Sequence, residues 1–293
     1  MVSTKSKSSA FFDGFNSIFM AFLILLTIYP LIHVAFASVS NGVELLAHQG
    51  ILLKPLGFSF AAYEMVFRNP MISKGYMNTL FIVIVGLFFN LTLTSFGAYA
   101  LSRSSLKFKK PIMLFIIFTM YFHGGLVPFY LTVKDLGMLN SLWALIIPTA
   151  ISTFNLIIMR TAFEAIPASL EESARIDGAN DYVILFRIIL PLSMPVVAVM
   201  ILYYGVSHWN AWFNAMVFLR NRSLYPLQLI LREILIANDT SRMMAGVGLT
   251  DTEQVGEPLK FATIMVATVP ILFIYPFLQK YFVKGVMIGA IKG

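Results

Sequence analysis

The chain has 293 residues, of which 58% are hydrophobic and only 12% charged. Soluble domains carry about 25% charged residues, so this balance excludes an ordinary soluble globular domain and indicates an integral membrane protein. The net charge of +7 is scattered through loops rather than gathered on one face, which argues against a nucleic-acid partner, and the absence of cysteine excludes a disulfide framework and thiol-based metal chemistry.

Residues 1–14 form a short polar N-terminal tail rich in Ser and Lys. The apolar run that follows is too long for a signal-peptide core and has no small-residue cleavage site, so it is expected to be retained as a first span. Six apolar segments are each long enough to cross about 30 Å of hydrocarbon: 15–37, 79–101, 112–132, 139–159, 190–219 and 261–282. Lipid leaves no water to satisfy backbone amides, so these segments must be helices, and the predicted fold is all-α with six transmembrane helices. Between the spans lie two long loops, 38–78 and 220–260, and a charged stretch, 164–189. Within the loops, Phe60 to Phe67 reads as a short surface helix and Leu227 to Ile236 as an amphipathic one. Lys5, Lys7, the cluster Arg103, Lys107, Lys109 and Lys110, and Lys280, Lys284 and Lys292 fall on one side of a six-span topology. Their density places both termini, and the 164–189 stretch with them, in the cytoplasm of a cytoplasmic (inner) membrane.

The 164–189 stretch is where the chain departs most from lipid-facing chemistry. Glu171, Glu172, Arg175, Asp177 and Asp181 fall within eleven positions. Pro167 suits the first turn of a helix, and Glu171 and Glu172 suit the positive end of its dipole. Gly178 is placed to end that helix in the left-handed conformation, and Asn180 or Asp181 to cap the next. The expectation is a helix–Gly–helix hairpin outside the bilayer. Ile166, Leu170 and Ala174, at i, i+4 and i+8, form a narrow apolar stripe, and small residues such as Ala168, Ser173, Ala174 and Gly178 permit close approach by another protein.

Glu172-Ser173-Ala174, three residues, Gly178, nine residues and Ile188-x-Leu190-Pro191 resemble the EAA-x3-G-x9-I-x-LP signature of ABC-importer membrane subunits. Ser173 replaces the signature's first alanine and keeps the position small. Further stretches resemble the carbohydrate branch of these permeases, the MalG-like subunits, and within it the LplC-type oligosaccharide subgroup: Lys54-Pro55-Leu56-Gly57-Phe58-Ser59, Asn78-Thr79-Leu80, His123-Gly124-Gly125-Leu126-Val127-Pro128, Lys134-Asp135-Leu136-Gly137, Trp209-Asn210-Ala211-Trp212-Phe213-Asn214 and Val283-Lys284-Gly285 to Ile291-Lys292-Gly293. The resemblance implies a type I ABC importer transmembrane domain over 15–293. It also implies a heterodimer with a second homologous permease, two ATPase subunits and an extracytoplasmic sugar-binding protein. The coupling contact would then lie at Glu171, Glu172, Ser173, Ala174, Asp177 and Gly178, with the C-terminal Gly289 to Gly293 as a second contact.

No G-x-x-x-x-G-K-[ST] motif occurs, so the chain has no P-loop for nucleotide; no cofactor is expected on it, and ATP and Mg would sit on the partner ATPase. The chain is therefore expected to be a transport subunit rather than an enzyme. No span body carries an Asp or Glu to couple ion movement, which leaves an ion-coupled carrier as the less favoured class; a permease for a non-sugar solute stays open. His33, His123 and His208 lack the spacing of a zinc site and read as structural, and Arg160 as an anchor at a helix end. The substrate path is expected at His208, Trp209, Asn210, Trp212, Phe213 and Asn214, with Tyr121 and Asn155 as further candidates. Aromatic rings could stack on sugar faces there and amides could bond hydroxyls, with Asn210 and Asn214 on one helical face. The basic outer loops suit an anionic oligosaccharide; the resemblance implies alginate oligosaccharides as one such substrate.

Overall fold

The structure, a computed structural model, describes residues 7–236 and 252–290. Every regular element among them is helical. In chain order they are α1 (Lys7–Ser38), α2 (Gly42–Ala47), α3 (Ala61–Arg68), α4 (Pro70–Ser102), α5 (Lys109–Tyr121), α6 (Leu126–Asp135), α7 (Trp143–Thr149), α8 (Thr153–Glu164), α9 (Ala168–Ile176), α10 (Asp181–Leu192), α11 (Met194–Trp209), α12 (Phe213–Phe218), α13 (Leu227–Ile236) and α14 (Thr252–Ala290). Their contacts gather into two compact units, Met1–Pro70 with Glu233–Thr268 and Met71–Arg232 with Val269–Gly293.

Three apolar helical stretches are single candidate spans: Phe11–Ser38, Pro70–Ser102 and Gly256–Ile274. The other three expected spans are each broken. Helices α5 and α6 meet at 111°, α7 and α8 at 49°, and α10 and α11 at 86°. The local chemistry explains each break. Gly125 holds φ 84°, a conformation open to glycine, between α5 and α6. Ser152 leaves helical geometry and caps α8 by accepting from the Asn155 amide. Pro191 and Pro195 flank the third break, and each removes an amide donor from the helical ladder. Hydropathy alone reads through such breaks, because one or two such residues in a long apolar run barely lower its average.

Two boundaries also move. Helix α4 starts at Pro70, nine residues before the expected span, since proline is pre-organised for a first turn. The expected 190–219 span ends at Trp209, with Asn210 as C-cap, and α12 begins afresh at Phe213. Of the 220–260 loop, Leu227–Ile236 is helical as expected and residues 252–260 already belong to α14, while 237–251 lie outside the described residues. Of the expected C-terminal contact, residues 291–293 lie outside them as well.

In the first unit the turn before α3 is built on side chains. Asn41 caps α2 through the Val43 amide at 2.9 Å, and Gly57, at φ 52°, sits so tightly that a Cβ would fall 2.7 Å from Glu44 Oε1. Tyr29 accepts from the Leu52 amide at 3.1 Å, and His33 packs edge-on against Phe261 at 5.8 Å, the structural role expected of it. The second unit holds two buried clusters. One gathers Tyr99, Leu101, Phe163, Ile184, Leu185 and Met200; the other gathers Ile82, Val133, Leu145, Phe218 and Leu229. The first backs the charged hairpin, and the second gathers the earlier part of α4 with α6, α7, α12 and α13.

Candidate functional site

The hairpin forms as its residues dictate. Pro167 is the N-cap of α9. Gly178 takes φ 84° and donates to the Arg175 carbonyl at 3.0 Å, and the next amide, Ala179, reaches back to Ala174 at 2.9 Å. That pair of bonds is a Schellman motif, which closes the helix and reverses the chain. Of the two candidates for the second cap it is Asn180 that serves, its side chain accepting from the Val183 amide at 2.9 Å.

The hairpin has two unlike faces. Ile166, Ala174 and Ala179 pack inward on the cluster that contains Tyr99, Phe163 and Ile184. Glu172, Ser173, Asp177 and Gly178 are exposed, and Ile176 is 87% exposed. Leu170 is also turned outward, so Ile166, Leu170 and Ala174 do not form one stripe. Ile166 precedes the Pro167 cap and is outside the helix, and within α9 Ala174 packs inward while Leu170 stays exposed.

Glu171, grouped with the outward residues on sequence, is buried at 7% exposure and ion-paired to Arg103. Arg103 also donates to the Phe163 carbonyl and to Ser102 Oγ, each at 2.9 Å, and its guanidinium lies 5.1 Å from the Tyr99 ring centre. Burial pushes the Arg103 guanidinium below its usual value, yet arginine stays protonated near neutral pH. Alongside, Glu164 receives Lys109 at 2.8 Å and Arg160 at 2.7 Å, and Arg160 reaches the Leu101 carbonyl at 3.3 Å, an anchor at a helix end as expected. On the second limb Asp181 pairs with Arg175 and accepts from Tyr99 Oη at 3.1 Å.

A cavity of about 990 Å³ lies deeper in the second unit, lined among others by His123, Ser152, Asn155, Tyr203, His208 and Asn214. Its polar wall is made where α7 breaks from α8. Asn90, on α4, donates both amide hydrogens to the freed carbonyls of Thr149 and Ala150, at 3.0 and 2.9 Å. Its Oδ1 is therefore an acceptor, so the 2.7 Å contact with His208 makes Nε2 of that ring the donor. Tyr204 Oη accepts from the Ser152 amide at 3.0 Å and bonds Thr94 at 2.8 Å. Irregular backbone at membrane depth is tolerated only with such partners or beside a water-filled cavity, and this break has the partners and lies beside a cavity. Gly86 makes room for the imidazole, since a Cβ there would lie 2.6 Å from Nε2.

Three of the expected path residues, His208, Asn214 and Asn155, line this cavity. The others do not join them. Trp209 is buried in a separate apolar pocket of about 210 Å³ and packs edge-on to Tyr76 at 6.2 Å. Asn210 and Asn214 fall on different elements because α11 stops at Trp209, so no shared helical face exists. Trp212 meets Phe213 at 5.7 Å and carries the Arg232 guanidinium over its face at 4.5 Å. Tyr121 is 73% exposed at the end of α5. Asn90, Thr94 and Tyr204 were missed by sequence reasoning; a lone amide in an apolar run, four residues after a glycine, was the available signal.

Residues 94–288 match the family model described as "Binding-protein-dependent transport system inner membrane component". The chain belongs to that family. This permease is 43% identical to the polygalacturonan/rhamnogalacturonan transport system permease protein YtcP of Bacillus subtilis, over 94% of its own length and 96% of the relative's. It is 39% identical to Protein LplC of the same organism, over 98% and 97% of the two chains. Among solved structures it superposes on a chain of a bacterial ABC transporter involved in the import of the acidic polysaccharide alginate. That match has a TM-score of 0.90 and 34% identity and covers 96% of this chain and 100% of the other. The permease is thus a multi-pass, all-helical membrane subunit of the ABC importer type.

Proposed function

We propose that this permease is one membrane subunit of an ATP-driven importer of oligosaccharides, acidic oligosaccharides among them. It pairs with a second homologous permease in the bacterial inner membrane, with both termini cytoplasmic. Two ATPase subunits holding ATP and Mg dock below, and an extracytoplasmic sugar-binding protein delivers substrate from above. The observation that carries the reading is the hairpin's division of labour. Its inner face is packed and ion-paired, while Glu172, Ser173, Asp177 and Gly178 stand exposed around a small-residue turn. A partner that grips this face moves a stiff element rather than a loop. Closure of the ATPases must favour the outward-facing arrangement energetically for transport to follow.

The substrate class is supported by the relatives, one named as a polygalacturonan/rhamnogalacturonan transport system permease and one a chain of a transporter involved in the import of the acidic polysaccharide alginate. It is also supported by the cavity, whose imidazole, amide, hydroxyl and aromatic groups suit sugar hydroxyls and ring faces. The test is reconstitution with the partner permease, ATPases and binding protein, followed by uptake of labelled oligogalacturonate, alginate oligosaccharides, neutral oligosaccharides and amino acids. Sugar-stimulated ATP hydrolysis with matching uptake is the expected result. Uptake of amino acids alone, or uptake that survives ATP depletion, would overturn the assignment.

A further inference from the structure

The hairpin is covalently attached to α8 and α10 and so moves them directly. The structure also ties it to a helix far away in sequence. Tyr99 lies in the last turn of α4, and Arg103 follows the helix end with its guanidinium over the Tyr99 ring. Arg103 holds Glu171 on the first limb, and Tyr99 holds Asp181 on the second. The two contacts thus straddle the Gly178 reversal. Arg103 also seals the end of α8 through the Phe163 carbonyl. Beneath them Ala98, Leu101, Leu106, Ile166, Ala174 and Leu185 pack as one apolar layer. The Arg103 and Glu171 side chains keep only 14% and 9% of their surface exposed, so little water competes for the pair.

We propose that Tyr99, Arg103 and Glu171 are positioning residues that lock the end of α4 to the hairpin, so that hairpin movement is passed to α4 as well as to α8 and α10. Helix α4 carries Asn90, whose amide holds the α7–α8 break and His208 beside the cavity. The lock therefore places one rigid helix between the outward hairpin face and the cavity wall. This inference rests on the coupling role proposed for the hairpin.

The test uses the reconstituted importer and the ratio of ATP hydrolysed to sugar imported. Arg103→Ala and Glu171→Gln should assemble and raise that ratio about fivefold or more. The exchanged pair Arg103→Glu with Glu171→Arg should bring it back towards the parent value. The chain has no cysteine of its own, so Arg103→Cys with Glu171→Cys can be bridged by a short bifunctional thiol reagent. Bridging should restore coupling, because the two positions travel together. An unchanged ratio in the assembled single variants, or a bridge that stops transport, overturns the proposal. Where Arg103→Ala fails to assemble, Arg103→Lys, which keeps charge but not the planar fork, carries the same readout. Gly178→Pro in parallel separates the two claims: if it uncouples while the Arg103 variants do not, the hairpin reading stands and the lock falls.

Discussion

Two polar regions of this permease are built on opposite principles. The hairpin end is charged: Arg103 with Glu171, Arg160 and Lys109 with Glu164, and Arg175 with Asp181. The cavity wall is held by Asn90, His208, Thr94 and Tyr204, bonded among themselves and to freed backbone groups, with no Asp, Glu, Lys or Arg among them. The difference follows from solvent. Charges near the water-facing end can be paired with one another, whereas an isolated charge at membrane depth costs several kcal/mol and gives way to polar groups that bond each other and the backbone. On the proposed function, the first region would transmit force to the ATPase, while the second fixes a broken helix beside the cavity.

The contrast yields a graded set of expectations. The largest effect belongs to Gly178→Pro. Proline fixes φ near −65° where the hairpin needs 84°, and it removes the amide that closes the Schellman motif. Sugar-stimulated ATP hydrolysis should fall about tenfold or more, with assembly of the four-subunit complex intact by size-exclusion chromatography. Next is Asn90→Leu, which strips partners from the Thr149 and Ala150 carbonyls and from His208. Unfolding in detergent should show a loss of about 2 kcal/mol, against well under 1 for Asn210→Leu at an exposed helix end. Gly86→Ala should cost about 1–3 kcal/mol on the same assay, because its Cβ meets the His208 ring. The smallest is Trp212→Leu, which removes the contact with Arg232 for about 0.5–1 kcal/mol. If Trp212 stacks on sugar, the half-saturating sugar concentration should rise as well; if it is only a perch for Arg232, that value should not move.

Legibility divided along the same line. The hairpin was readable because its chemistry is local: Pro167, Gly178 and Asn180 each dictate backbone geometry within a few residues. The six apolar segments were readable by length, but their breaks were not. Gly125, Ser152 and Pro191 act locally on the backbone, but single residues inside long hydrophobic runs barely change the averaged hydropathy that marks a span. Glu171 and Glu172 are indistinguishable in composition, and only the fold, by presenting Arg103 to one of them, turns the first inward and leaves the second exposed. The cavity was half legible. Asn155, His208 and Asn214 line it as their polarity suggested, while Asn90 announces nothing until the carbonyls it serves are seen.

The central claim, that the exposed face of the hairpin meets the ATPase, is tested most directly at Ser173. A single cysteine placed there, as Ser173→Cys in a chain with no other cysteine, should form a cross-link to the ATPase subunit in the assembled importer, and the yield should change with bound ATP. It should also resist a membrane-impermeant thiol reagent added from outside intact cells. Labelling from the outside, or a cysteine that never reaches the ATPase in any nucleotide state, would contradict the account.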